Sequence, residues 1–377
     1  MPELPEVERA VKQIKRLALN KTIQRVETTE DNIIFSGITH EDFANEITGR
    51  KITGVKRYGS MLCFVSHMVL NIDAQIVGKS FYLELDGQGK LPVLHFGMTG
   101  MLQVKGEKPM YYKETPKSAS TDWPPRFMKF ILHMRDERTQ ATAEIAFMDA
   151  RRLGKIRLRA CPDKEAPISE LGFDPILCMP SLEVFEPLVM KRSCPIKALL
   201  LDQSFSAGVG NWVADEILYH SRIHPEQRCN TLTTTQIGNL HQFTKFVCET
   251  AVSVDADATK FPEDWLFKHR WGKGKKTNAD PLKLVSGDLA TIKWVTVGGR
   301  TSAYVAELQQ LTSQAPVPLI KKRTTRSHLL EEDSESDLSV LTDSDPEVSQ
   351  PSSKKRKKAA AEPRKIKSKL QRKQNTK

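Results

Sequence analysis

The sequence predicts an α+β fold, an antiparallel β region followed by a helical one. The hydrophobic period changes twice along the chain, and a glycine-centred hairpin signature closes the patterned part. Residues 5 to 19 carry Val7, Ala10, Val11, Ile14, Leu17 and Ala18 at helical spacing, and the pattern stops at Asn20, a residue suited to the end of a helix. From about 21 to 160 the apolar runs become short and extended. They comprise Lys51 to Tyr58, Ser80 to Leu85, Pro92 to Phe96, Phe127 to Met134 and Glu144 to Phe147, and Asp86-Gly87-Gln88-Gly89 forms a turn between two of them. Helical spacing returns in Leu182 to Met190, Pro195 to Leu201, Asn211 to Ser221 and Thr235 to Val254, with Pro195 in a first-turn position. Thr291 to Val297 and Thr301 to Val305 then flank Gly298-Gly299-Arg300 as a last hairpin.

Composition narrows the class. A chain of 377 residues with 39% hydrophobic and 27% charged residues is ordinary for two globular domains and excludes collagen, coiled coil and wholly disordered chains. The formal net charge is +11, yet residues 352 to 377 alone hold twelve Lys/Arg against one Glu. The preceding stretch, 321 to 351, is net acidic, so residues 1 to 320 are only mildly basic. Residues 320 to 377 are expected to be a disordered acidic-then-basic tail, and Lys354-Lys355-Arg356-Lys357-Lys358 is read as a nuclear-import signal, a nonspecific DNA contact or a solubilising end. No apolar run reaches the length of a spanning helix. The six cysteines are scattered without a C-x2-C pair, and buried free thiols are the plain reading.

The N-terminus carries the first chemical hint. Removing Met1 exposes the secondary amine of Pro2, and an α-amino group titrates near pH 8, so a useful fraction is nucleophilic at neutral pH. Glu3 and Glu6 stand beside it, one suited to donating a proton and the other to orienting the amine. By itself the pattern equally describes an inert, frayed terminus. Four further motifs follow in order: Leu94-His95-Phe96-Gly97-Met98-Thr99-Gly100, Asp149-Ala150-Arg151-Arg152-Leu153-Gly154, Gly208-Val209-Gly210-Asn211-Trp212-Val213-Ala214-Asp215-Glu216 and Gly298-Gly299-Arg300-Thr301-Ser302. With Pro2-Glu3-Leu4-Pro5-Glu6-Val7-Glu8 they resemble the formamidopyrimidine-DNA glycosylase and endonuclease VIII family, over residues 2 to about 311.

The resemblance implies a DNA repair enzyme that needs no cofactor or metal and acts as a monomer on damaged duplex DNA. Its N-terminal β-sandwich (2 to 160) would carry a long N-terminal helix, and a helix-two-turns-helix domain (180 to 312) would follow. It implies that Pro2 attacks C1′ of an oxidised purine nucleotide and forms a Schiff base, that Glu3 protonates the sugar-ring oxygen, and that Glu6 positions the terminus. β- and δ-elimination would then cut the strand. It further implies phosphate contacts from His95, Asn211 and Arg300. Met98, Arg151 and Leu153 would enter the space of the extruded nucleotide, and Glu216 would be a carboxylate near the active site. Without the family, Asn211 is an ordinary helix cap, Arg300 a solvated turn residue, Met98 a core residue and Glu216 a surface helical residue.

Three features depart from the family pattern. There is no cysteine after Cys248, so the hairpin resembles the zincless-finger members. Leu153 stands where an aromatic wedge is usual. The family's active-site lysine, expected near residue 57, is assigned to Lys79, with Lys56 as the other candidate. Joining Lys56-Arg57-Tyr58-Gly59 to Lys79-Ser80-Phe81-Tyr82-Leu83 reads as one uninterrupted strand, so residues 60 to 78 are expected to be a strand-interrupting loop or translated intron sequence. A damaged-DNA-binding protein with weak or lost chemistry is the alternative function, and the nucleus the expected location. The lesion-capping loop is placed within Gly272 to Leu289.

Overall fold

The computed structural model describes residues 2–57, 80–107, 122–271 and 281–311. Helix α1 (Leu4–Ala18) opens the chain and ends where Asn20 takes a left-handed φ of 64°, as its sequence position suggested. Two four-stranded antiparallel sheets follow. One has the order β1 (Thr22–Thr28), β6 (Met128–Arg135), β7 (Thr142–Met148), β5 (Met101–Val104); the other runs β2 (Ile52–Arg57), β3 (Ser80–Leu85), β4 (Leu91–His95), β8 (Lys155–Arg159). A short helix, α2 (His40–Ile47), is capped at Thr39, whose hydroxyl accepts the Asp42 N–H.

A line of phenyl rings knits the sandwich. Phe43 meets Phe130 at 5.1 Å, Phe130 meets Phe147 at 5.4 Å, Phe147 meets Phe96 at 5.7 Å, and Phe96 meets Phe81 at 5.3 Å between centroids. Val7, Val11 and Ile14 of α1 close the same core. Leu4, one turn earlier, is buried in a different core, among Ile196, Val209 and Trp212 of the helical region. A single helix therefore starts in one core and continues in the other.

The helical region comprises α3 (Leu182–Met190), α4 (Ile196–Leu201), α5 (Asn211–Ser221) and α6 (Thr234–Ser253), and β9 (Ile292–Val297) and β10 (Arg300–Val305) form the hairpin. Gly298 and Gly299 take φ of 56° and 70°, the pair of positive values that a two-residue hairpin turn requires. Ala303 and Val305 pack with Tyr219, Leu266 and Leu282 in a third apolar cluster, so side-chain burial holds this finger in place. Arg57 ties the regions together: it is buried, Nε donates to Glu8 Oε2 at 2.6 Å and Nη1 donates to Asp174 in the segment leading to α3.

The reading of Lys56 to Gly59 and Lys79 to Leu83 as one strand is corrected. β2 and β3 are two strands paired antiparallel, with Arg57 opposite Phe81 and Ile52 opposite Leu85. Residues 58 to 79 lie outside the described residues, but their flanks meet as the two arms of a hairpin. An insertion there lengthens a connection and interrupts no strand, which removes one reason for suspecting the gene model. Removing 60 to 78 leaves Tyr58, Gly59, Lys79 and Ser80 between the paired Arg57 and Phe81, a usual hairpin length. The deletion variant is expected to fold, with stability raised by up to about 1.5 kcal/mol from the shorter closure. Urea denaturation checks this, and a clearly lowered midpoint would show that the segment supports the sheet.

Candidate active site at the chain terminus

The terminus is held from three sides. Leu4 N–H donates to Gly208 O at 2.8 Å, Glu3 N–H donates to Glu6 Oε2 at 2.7 Å, and the Glu3 carboxylate lies across the start of α5. There Oε1 accepts the Trp212 N–H at 3.1 Å and Oε2 the Val213 N–H at 3.0 Å. These are two of the donors that an α-helix leaves without intrahelical partners, at its positive dipole end. Gly210 makes the approach possible, since a Cβ there would lie 2.2 Å from Glu3 Cδ. Pro2, Glu3 and Glu6 are all buried. Burial, reinforced by the Glu3 charge, pushes the Glu6 carboxyl up to about 7.

Pro2 and Glu6 line one part of a cleft of about 600 Å³ that continues past Thr99, Phe127 and Ala150. This brings the Pro2 group to the two loops that cross between the sheets. Met98 lies half-buried in the turn between β4 and β5, and Arg151 and Leu153 are exposed between β7 and β8. Asp149, fully buried, clamps both loops: it accepts the Thr99 hydroxyl at 2.5 Å, the Arg151 N–H at 3.2 Å and the Gly154 N–H at 2.6 Å. Arg152 turns into a left-handed conformation (φ 56°) and its Nε and Nη2 donate to the two Asp31 oxygens at 2.9 Å, leaving Arg151 and Leu153 outside. Gly97 carries no Cβ because one would lie 2.4 Å from Leu153 C.

A second cluster forms where α4, α5 and the hairpin meet. Asn211 is the first residue of α5 and its side chain is not the cap: Nδ2 donates to Thr301 O at 3.0 Å, beside Arg300 at the hairpin tip. Its Oδ1 is buried without a protein partner. Gly298 sits over Ala198 of α4. Lys197, one residue before, is fully buried; Nζ donates to Asn211 O at 2.7 Å and to Asp215. Asp215 also accepts Arg270 Nη2 at 2.5 Å and the Ala303 N–H at 3.2 Å.

Several expected site residues stand elsewhere or differently. Glu216 is buried one turn deeper in α5, accepts the Leu266 N–H at 3.0 Å and lies 3.1 Å from His220 Nε2, and burial pushes its carboxyl up. These contacts fix α5 to the segment before the hairpin, and the residue is not the surface helical position that its sequence context alone suggests. The α5 periodicity could not show this, because nearly every side of that helix is buried. His95 is only 2% exposed and its Nδ1 accepts the Gly97 N–H at 3.2 Å, so it shapes the Met98 turn from inside. Lys56, the other lysine candidate, pairs with Glu84 at 2.6 Å, and Lys79 lies outside the described residues. So do Gly272 to Asp280 of the suggested capping loop.

Sequence reasoning missed Lys197, Asp215, Arg270 and Phe127. The first three are buried charges that satisfy one another, and no local pattern announces such a partnership. Phe127 is 47% exposed, with a left-handed φ of 67°, its carbonyl on the Asp149 N–H at 3.1 Å and Arg126 over its ring at 4.6 Å. The sequence shows it only as the first residue of an extended run.

Comparison with known proteins agrees with this geometry. Residues 1–156 match the formamidopyrimidine-DNA glycosylase N-terminal domain and residues 171–263 the formamidopyrimidine-DNA glycosylase H2TH domain. The formamidopyrimidine-DNA glycosylase of Arabidopsis thaliana is 39% identical over 311 residues, covering 82% of this chain and 71% of that protein. Two structures of the Lactococcus lactis enzyme share the fold. One, with N7-benzyl-Fapy-dG DNA, has a TM-score of 0.60 at 21% identity and covers 82% of this chain and 100% of that one. The other, non-covalently bound to DNA containing an abasic site, has a TM-score of 0.58 at 22% identity, over 82% and 99%. The two matched domains, the identity to the plant enzyme and the buried Pro2–Glu3–Glu6 terminus place this chain in the formamidopyrimidine-DNA glycosylase family.

Proposed function

We propose that this protein is a bifunctional DNA glycosylase and abasic-site lyase of base excision repair, removing formamidopyrimidines and oxidised guanine products from duplex DNA. The observation that carries the reading is the burial of Pro2, with Glu6 beside it, at the edge of a cleft wide enough for an extruded nucleotide. Once Met1 is removed, the Pro2 nitrogen bonds C1′ as the bond to the damaged base breaks. Loss of the ring C–O bond then gives the imine, and elimination of the 3′ and 5′ phosphates follows. Both Glu3 oxygens accept backbone N–H groups, the arrangement of a carboxylate held beside a developing cation. Glu6, poised near neutrality, is suited to carry protons to and from the reacting centre.

Met98, Arg151 and Leu153 on their clamped loops, with Phe127 nearby, suit filling the space left by the extruded nucleotide. Asn211 and Arg300 suit the flanking phosphates, and Lys197 and Asp215 fix the Asn211 backbone. A role for Lys79 in the same chemistry is part of this reading. Residues Lys354 to Lys358, outside the described residues, support nuclear import by a receptor for basic peptides, and the working unit is taken as a monomer.

Borohydride trapping on duplex DNA with an abasic site or a formamidopyrimidine tests the chemistry. A covalent adduct on the peptide beginning at Pro2 is expected, with base release reduced at least about tenfold in Pro2→Gly. Tight lesion binding with no adduct would instead establish a damaged-DNA-binding protein. Gly210→Ala is expected to slow trapping about 100-fold by displacing Glu3, with duplex affinity little changed; single-turnover kinetics and a binding titration read the two separately. The Glu6 carboxyl titrates near 7 folded against an ordinary 4.5, so the native state loses stability as pH rises between those values. Glu6→Gln removes that loss, and denaturant titrations should find it up to about 3 kcal/mol more stable than wild type at pH 8 and equal to it below pH 4.

A further inference from the structure

Outside the active-site cleft, two thiols face each other at the entry to the helix that carries Lys197. Pro195 and Arg228 form an antiparallel bridge, with the Cys229 N–H on Cys194 O at 3.0 Å and the Ile196 N–H on Gln227 O at 2.8 Å. Cys194 and Cys229 are therefore directly opposite in the ladder. Opposed residues of this kind have Cα atoms about 5.5 Å apart, the separation that a disulfide spans without moving the backbone. Both are free thiols here, Cys194 half-buried and Cys229 fully buried. Directly opposed side chains leave an antiparallel ladder on the same face, which sets the two sulfurs side by side.

The chemical inequality of the pair follows from that contact. The Cys229 hydrogen bond, opposed by burial and aided by the Arg192 charge, holds the Cys194 thiol below the usual thiol range. The same bond, together with burial, pushes Cys229 up. One sulfur is thus accessible and thiolate-prone, and its neighbour is protected and stands directly across the ladder.

We propose that Cys194 and Cys229 form a reversible disulfide under hydroperoxide stress, with Cys194 the reacting thiol and Cys229 the resolving one. The Cys194 thiolate attacks a peroxide oxygen; an S–O bond forms, the O–O bond breaks, and the departing hydroxide or alkoxide takes a proton. Cys229 then attacks the Cys194 sulfur, its proton passing to the leaving hydroxyl, so that an S–S bond forms and water departs. Two thiols lose two electrons and one hydroperoxide is reduced. Because Ile196 and Lys197 already bond Gln227 and Pro225 across the same ladder, the link joins segments in their native register. It preserves the Lys197 site and keeps Cys194 from irreversible over-oxidation.

The test treats the full chain with hydrogen peroxide, alkylates free thiols and maps peptides by mass spectrometry. Wild type is expected to give a Cys194–Cys229 linked peptide that dithiothreitol reverses, with DNA affinity retained. Cys229→Ser, lacking the resolving thiol, should accumulate sulfinic acid at Cys194. Cys194→Ser, a change at the half-buried position, should leave Cys229 reduced. Equal sulfinic acid at Cys194 in wild type and Cys229→Ser, or linkage of Cys194 to another cysteine, overturns the proposal, as does loss of DNA binding on forming the link.

Discussion

A group close to the end of a chain has few neighbours along the backbone, so ordinary secondary structure cannot hold it still. Here the stabilising contact is made one residue later, where the Glu3 carboxylate takes the first free N–H groups of α5. Bonds from backbone N–H groups to a buried charge each contribute about 1.5–3 kcal/mol, and these two also satisfy donors that the helix would otherwise leave empty. Leu4 buries itself in the helical core immediately afterwards, and Val7 and Val11 bury themselves in the sandwich. The terminus is thus fixed only when both cores are formed and correctly juxtaposed. Gly210 is the narrowest part of this arrangement, since it leaves no room for even a methyl group.

The second constraint is electrostatic. Lys197 and Arg270 are buried cations, and each would be costly without a partner. Asp215 receives both, and the Ala303 N–H with them, so one carboxylate joins α4, α5, the segment before the hairpin and β10. Burial lowers the Lys197 ammonium, while the Asp215 charge works to keep it ionised. The hairpin is held this way as well, because the Gly298 tip rests on α4 and the strand behind it is pinned through Asp215 and packed on Tyr219 and Leu266.

Much of this was legible in the sequence. Helices α1 and α3 to α6 were legible to within a residue because of their apolar spacing, whereas the short α2 went unread; β3 was legible from the alternation of Phe81, Leu83 and Leu85 with Tyr82 and Glu84, although its burial is nearly continuous. β1 was missed because its burial does not alternate, and β5 and β8 because they are short and carry polar or charged residues between buried ones. At the site, Pro2, Glu3 and Glu6 could be named from a motif, but not the reason Glu6 titrates near neutrality, which is burial created by distant chain. The burial of Glu216 was not legible because the sequence shows a carboxylate's position on a helix without saying what packs around it. The pairing of β2 with β3 escaped because an inserted segment hides that their ends adjoin.

The Asp149 clamp has a mechanical side. The Met98 turn and the Arg151–Leu153 loop are crossovers between the two sheets, locked to each other through one buried carboxylate and through the close approach of Gly97 to Leu153. Under the proposed function, an edge mounted so stiffly would not adapt to a duplex it entered. The deformation would fall on the DNA, which would have to yield by unstacking or kinking, and base steps differ in how readily they do so. Recognition would then begin before any atom of the damaged base is touched, as a measurement of local softness, with a stiff protein edge as the reference against which the helix is tried.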